Sequence, residues 1–236
     1  MSGGRMIPPD TARPLKVLDA ARGFSCLFWG MPVLAAGHAL AMVAPWPAKW
    51  LSGGLLAAYL PILCGLWRVR RSGCGDSAWT RRVEGLLGTA LAAAALAPFL
   101  PWWIQSPLQR YFAVNALLFL LVQLLLLVGT NRLAGAMGHR LGDRGLRREA
   151  RAGIGMVIWL SGCSAAALAW LFYRAGLFEA GWPTVMMQLT QLPREARTLF
   201  LLPYAMTSYV MWRARETAFR QAKRELEPAA ESSSAA

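Results

Sequence analysis

The sequence predicts an all-α fold, a polytopic membrane bundle of six transmembrane helices with both termini in the cytoplasm. Three observations predict it. Six apolar stretches are separated by short polar segments, the basic residues concentrate in alternate segments, and 56% of the 236 residues are hydrophobic. The stretches run from 23 to 44, 51 to 67, 83 to 104, 112 to 130, 153 to 174 and 198 to 212. Most reach the roughly 17 to 25 residues that a helix needs to cross the hydrocarbon layer.

Orientation follows from counting Lys and Arg. With the amino terminus inside, the inward segments hold four, five, six and five basic residues, and the outward ones one, one and three. Cytoplasmic retention of positive charge sets topology, whereas acidic residues contribute little. The same distribution accounts for the formal net charge of +13. Four juxtamembrane patches facing anionic lipid headgroups explain it without nucleic acid, since no stacking platform or recognised motif accompanies the charge. The expected division is a basic amphipathic arm over 1–22, the bundle over 23–212, and a cytoplasmic helix extension with a small, polar, unstructured tail over 213–236. Glu216 and Arg220 are spaced i to i+4 on that extension.

The first stretch ends near Ala39-Leu40-Ala41, which mimics a signal-peptidase site. A long charged region before it and apolar character through Ala44 favour a retained signal anchor. The third and fifth stretches are rich in small residues, including Gly85, Gly88, Gly155 and Gly162, and are expected to be central or to take up a protein partner or second copy. The fourth contains Asn115 and, near its midpoint, Gln123. An amide at that depth needs a partner, so Gln123 is expected to face protein, either structurally or as part of a binding site with Asn115 and His38.

Tryptophans mark the boundaries: Trp46, Trp50, Trp102 and Trp103 outside, Trp67, Trp79 and Trp212 inside. Between the fifth and sixth stretches, Val185, Met186, Leu189 and Leu192 recur at helical spacing after Pro183. They predict a short re-entrant or interfacial helix ahead of a short sixth span.

Chemistry is nearly absent. Cys26, Cys64, Cys74 and Cys163 form no Cys-x-x-Cys pair and are expected to be small buried residues. His38 and His139 fall at opposite ends of the expected bundle, which excludes a bis-imidazole haem within one chain, so no metal or cofactor is expected. No serine-hydrolase, zincin or P-loop motif occurs, and the only acidic residue in an apolar stretch is Glu84 at its entrance. The run Leu18-Asp19-Ala20-Ala21-Arg22-Gly23 resembles the start of the first helix in integral-membrane acyltransferases, which use a histidine further along that helix. The resemblance covers about six residues and implies a histidine about three turns after Arg22. Here His38 stands sixteen residues on, and that family has more spans than this chain holds, so no catalytic residue is carried over.

Two function classes remain. The first is a non-enzymatic subunit of a transport or membrane-assembly complex, with a layout like that of exporter permeases, in a cell membrane of the bacterial inner-membrane type. The second is a membrane-embedded transferase for lipid-linked substrates, for which Asp19, Arg22 and His38 are the available polar set.

Overall fold

The computed structural model describes residues 9–74, 76–174 and 201–234. Every regular element among them is an α-helix: α1 (Pro9–Val43), α2 (Ala48–Arg71), α3 (Ser77–Leu96), α4 (Phe99–Gln105), α5 (Arg110–Arg140), α6 (Arg144–Arg174) and α7 (Leu202–Ser234). Four helical segments are long and apolar enough to cross a membrane: Pro14–Val43, Ala48–Arg71, Ser77–Gln105 and Arg110–Arg140. The fifth expected stretch is helical throughout as part of α6, and residues 202–212 of the sixth begin α7. Residues 183–197, including Val185, Met186, Leu189 and Leu192, lie outside the described residues.

The helix α1 is the hub, packing along α2 and α7, while α5 packs against α3, α4, α6 and α7. Glycine sets the first of these contacts. A Cβ on Gly65 would fall 2.9 Å from the Gly23 carbonyl oxygen and 3.0 Å from the Leu27 nitrogen, and one on Gly23 would fall 2.9 Å from the Gly65 carbonyl oxygen. The two backbones therefore touch, which is how helices gain dispersion energy where lipid supplies no hydrophobic driving force. By contrast, a Cβ on Gly85, Gly88, Gly155 or Gly162 would meet nothing within 4 Å among the described residues. These four glycine positions of α3 and α6 are thus open among the described residues, while Ala90, Ala93 and Ala94 of α3 are buried and Gly153 of α6 meets Asn131, and the helix with the most extensive packing is α1, against the expectation from composition. Composition shows where backbones can approach but not which glycines face a neighbour.

Proline shapes two other junctions. In α1, Pro32 lacks an N–H and leaves the Phe28 carbonyl without its intrahelical partner. Ser208 of α7 donates its hydroxyl to that carbonyl at 3.3 Å, so the defect in one helix becomes the docking point of another. The expected third span divides at Ala97 and Pro98 into α3 and α4. The Pro98 carbonyl there accepts from Ser52 of α2. At the same end of the bundle, Gln105 clamps the α1–α2 turn, its Oε1 accepting from the Ala48 amide at 3.1 Å and its Nε2 donating to the Trp46 carbonyl at 2.7 Å. The side chain caps a helix whose own N-cap, Pro47, offers none.

The opposite end is basic and cross-linked. Arg140 pairs with Asp76, Arg70 with Glu84, and Arg213 with Glu149. Asp143 accepts from the Leu146 amide and the Thr217 hydroxyl, and the former contact chiefly holds its carboxyl below the usual range. Asp76, the N-cap of α3, is lowered chiefly by the Trp79 amide, with help from Arg140. These ties bring the α2–α3 turn, the α5–α6 turn and α7 together.

Several expectations change. Trp79 is not a boundary anchor but is only 2% exposed, with the Arg140 guanidinium 5.1 Å from its ring centroid. None of the four free cysteines is buried: Cys64 and Cys163 are exposed, Cys26 and Cys74 partly covered. The helix α7 continues to Ser234 through the segment expected to lack structure, where Ala and Glu favour helix. The expected Glu216–Arg220 pair is present at 4.0 Å.

The two glycine environments predict opposite responses. Gly65→Ala forces a methyl against backbone and is expected to lower stability in detergent by about 1 to 3 kcal/mol. Gly85→Ala, in open space within a helix, is expected to be neutral or stabilising by up to about 1 kcal/mol. Thermal unfolding followed by tryptophan fluorescence measures both, and equal effects would contradict the close crossing of α1 and α2.

Candidate functional site

Polar side chains inside an apolar bundle need partners, so the polar residues of the described core locate the site. Gln123 lies on α5, 3% exposed, and faces the interior. Its Oε1 accepts a hydrogen bond of 2.5 Å from the hydroxyl of Tyr59 on α2. Tyr204, from the first turn of α7, approaches the same amide. One turn before Gln123, at i−4, Phe119 shares its face of α5 and is fully buried.

His38 of α1 completes the cluster. Its ring is 4% exposed and stands 5.3 Å from Phe119, 5.5 Å from Tyr204 and 6.4 Å from Tyr59, the last nearly perpendicular at 85°. These separations are those of packed aromatic pairs. Four helices, α1, α2, α5 and α7, therefore converge on one layer of imidazole, amide and two phenols. The Leu34 carbonyl lies beside the imidazole, yet neither ring nitrogen nor Gln123 Nε2 has a hydrogen-bond partner among the described residues.

The arrangement offers hydrogen-bonding groups without formal charge. No carboxylate or cation belongs to the layer among the described residues. No group of three or more His, Cys, Asp or Glu side chains is placed to hold a metal ion among them. What it can do is bind or orient a neutral polar group, or lock four helices in register.

Asn115, two turns earlier on α5, stays apart from the cluster. It is half-buried, and its Nδ2 donates to the Tyr111 carbonyl of its own helix at 2.8 Å. Asp19 and Arg22 pair with each other at 3.3 Å near the start of α1, both more than half exposed. Sixteen residues of helix, about 24 Å, separate Arg22 from His38, so the three do not form one polar set.

A second buried layer lies about two turns of α5 nearer the basic end. Asn131, fully buried, donates from Nδ2 to the Leu127 carbonyl and to the Thr207 hydroxyl of α7, each at 2.9 Å. Its Oδ1 faces Gly153 of α6, where a Cβ would have no room. In the sequence Asn131 directly follows the apolar stretch 112 to 130 and so reads as the start of an inward segment. The helix instead runs on to Arg140, and the buried Leu133, Ala134, Met137 and Gly138 show the apolar periodicity that marks the extension. Tyr59 and Tyr204 were also assigned no role. The signal was a tyrosine within an apolar stretch, whose hydroxyl needs a partner when buried.

No protein-family model matches the chain, and no characterised protein or solved structure is detectably similar to it.

His38 separates structural from functional readings of the cluster. A buried imidazole without partners costs free energy that a phenyl ring does not. His38→Phe is therefore expected to keep or raise thermal stability in detergent, by up to about 1 kcal/mol. A loss of 2 kcal/mol or more would show that the imidazole is hydrogen-bonded, by the Leu34 carbonyl or by a group outside the described residues.

Proposed function

We propose that the chain is an integral membrane subunit of a transport or membrane-assembly complex, non-enzymatic on its own. In this reading it crosses a cell membrane of the bacterial inner-membrane type six times, with both termini in the cytoplasm. The observation that carries the reading is the part of α6 around Gly155 and Gly162, which is uncovered among the described residues. That helix packs on α5 and α7, while Gly155 and Gly162 meet nothing among the described residues and Cys163 beside them is exposed. A face able to admit another backbone at close range suits a further transmembrane helix, from a partner or a second copy. The alternative, a transferase for lipid-linked substrates, would need Asp19, Arg22 and His38 to act together, and that set is dispersed.

Arginines flank the α2–α3 turn (Arg68, Arg70, Arg71, Arg81 and Arg82) and the α5–α6 turn (Arg140, Arg144, Arg147 and Arg148), and this supports the orientation, because these two turns lie at one end and the turns at 44–47 and 106–109 at the other. Reporter fusions at Ser72 and at the carboxyl terminus are expected to report the cytoplasm, and fusions at Pro47 and Gln105 the exterior. An external carboxyl terminus would exclude six spans.

The assembly itself is tested by purifying the tagged full chain in mild detergent. A membrane protein at fixed stoichiometry, or a defined oligomer, is expected to co-elute, and Gly155→Leu with Gly162→Leu is expected to release it without lowering thermal stability. A monodisperse monomer that transfers a group to a lipid-linked acceptor, and loses the activity in His38→Ala, would favour the alternative instead.

A further inference from the structure

At the basic end, α5 forms the floor and α3 and α6 the walls of a pocket of about 540 Å³. It runs along α5 from Arg140 to Asn131, roughly 13 Å of helix, and so passes from the aqueous boundary into the apolar bundle. Small residues make the space: Gly135 and Ala136 on the floor and Ala150 on the wall.

Its lining is one-sided in charge. Arg82, Arg132, Arg140, Arg147 and Arg151 face a single carboxylate, Asp76. That carboxylate is already engaged by Arg140 at 2.7 Å. No ion pair engages Arg132, Arg147 or Arg151 among the described residues. Like charges gathered around a partly enclosed space repel one another more strongly than on an open surface, because the low-dielectric walls focus the field. Such a set is stable when an anion joins it.

Two buried donors point to the same conclusion independently of charge. Trp79 lines the pocket, is 2% exposed, and its Nε1–H has no acceptor among the described residues; the Nε of Arg147 is likewise buried without one among them. Indole has a donor and no acceptor, and a guanidinium has donors only, so both are satisfied by oxygen ligands. A tetrahedral oxyanion accepts several such bonds at once, and arginine matches its geometry in a bidentate way.

We propose that this pocket is a binding site for one phosphate-bearing anion, held by Arg132, Arg147 and Arg151 with the Trp79 indole N–H beneath them. The inference stands independently of the subunit reading above. Its position at the boundary, with an apolar floor below the arginines, admits the headgroup of an anionic phospholipid as well as free phosphate.

Purified full chain in mild detergent is titrated with dioleoyl-phosphatidylglycerol, with dioleoyl-phosphatidylcholine, and with sodium phosphate against sodium chloride at matched ionic strength. Thermal unfolding is read by tryptophan fluorescence, and bound lipid is counted by native mass spectrometry. The expected result is one saturable phosphatidylglycerol, with phosphatidylcholine at least about tenfold weaker. Arg147→Gln with Arg151→Gln is expected to weaken binding about tenfold or more, and Arg68→Gln with Arg71→Gln, basic positions on α2 outside the pocket, to leave it unchanged. Stabilisation by inorganic phosphate without lipid selectivity, lost in the same pocket variant, would identify free phosphate as the source of the anion and uphold the site. If the arginine pair variant does not fold, Trp79→Phe keeps an aromatic ring at the position while removing the N–H together with the second ring of the indole, and several-fold weaker binding is expected. No saturable response to either probe, or equal weakening by the α2 pair, would overturn the proposal.

Discussion

The hydrogen bond from Tyr59 to Gln123 is the constraint around which the described bundle is arranged. An amide inside hydrocarbon cannot turn to water, so its helix must present it to a partner at a fixed depth and rotation. Tyr59 supplies that partner from α2, and His38 and Tyr204 close the layer from α1 and α7. Apolar packing alone leaves helices free to slide, because Leu against Leu differs little from Leu against lipid. A bond between two buried polar groups is lost if either helix moves by one turn. Its expected net value, about 0.6 to 2 kcal/mol, is modest, so its main effect is on register.

Backbone proximity does the remaining work. The contact of Gly23 with Gly65 brings α1 and α2 together, and Gly153 lets α6 approach Asn131. The Pro32 defect in α1 receives Ser208 from α7. Each device satisfies or accommodates a backbone or amide group where water is absent. Ion pairs serve a different role, joining the turns at the basic end where their partners remain partly exposed and their individual contributions are small.

The all-helical class and the long apolar elements were legible because hydropathy and length are one-dimensional properties. Gln123 and His38 stood out for the same reason, as polar groups in apolar stretches, and the structure brings them into one layer. Asn115 stood out equally, but its amide can return a bond to its own backbone, so polarity did not distinguish a partner helix from the turn before. Glycine content was misleading for a related reason. Gly85, Gly88, Gly155 and Gly162 lie in the richest small-residue stretches and meet nothing among the described residues, whereas Gly65, isolated in a Leu-rich helix, meets backbone. Trp79 shows the limit for aromatics. Its position beside a span matched a headgroup anchor, and only the packing of α3 against α5 reveals that it is buried.

The central claim is that Tyr59 and Gln123 act as one unit, and a double-mutant cycle measures this directly. Unfolding free energies are compared in the same detergent for the wild type, Tyr59→Phe, Gln123→Leu and the double variant. Each single change leaves a buried polar group without its partner and is expected to cost about 1 to 3 kcal/mol, while the double change removes both and costs less than the sum by about 1 kcal/mol. Strict additivity of the two single effects would show that the pair is not coupled, and would contradict the account.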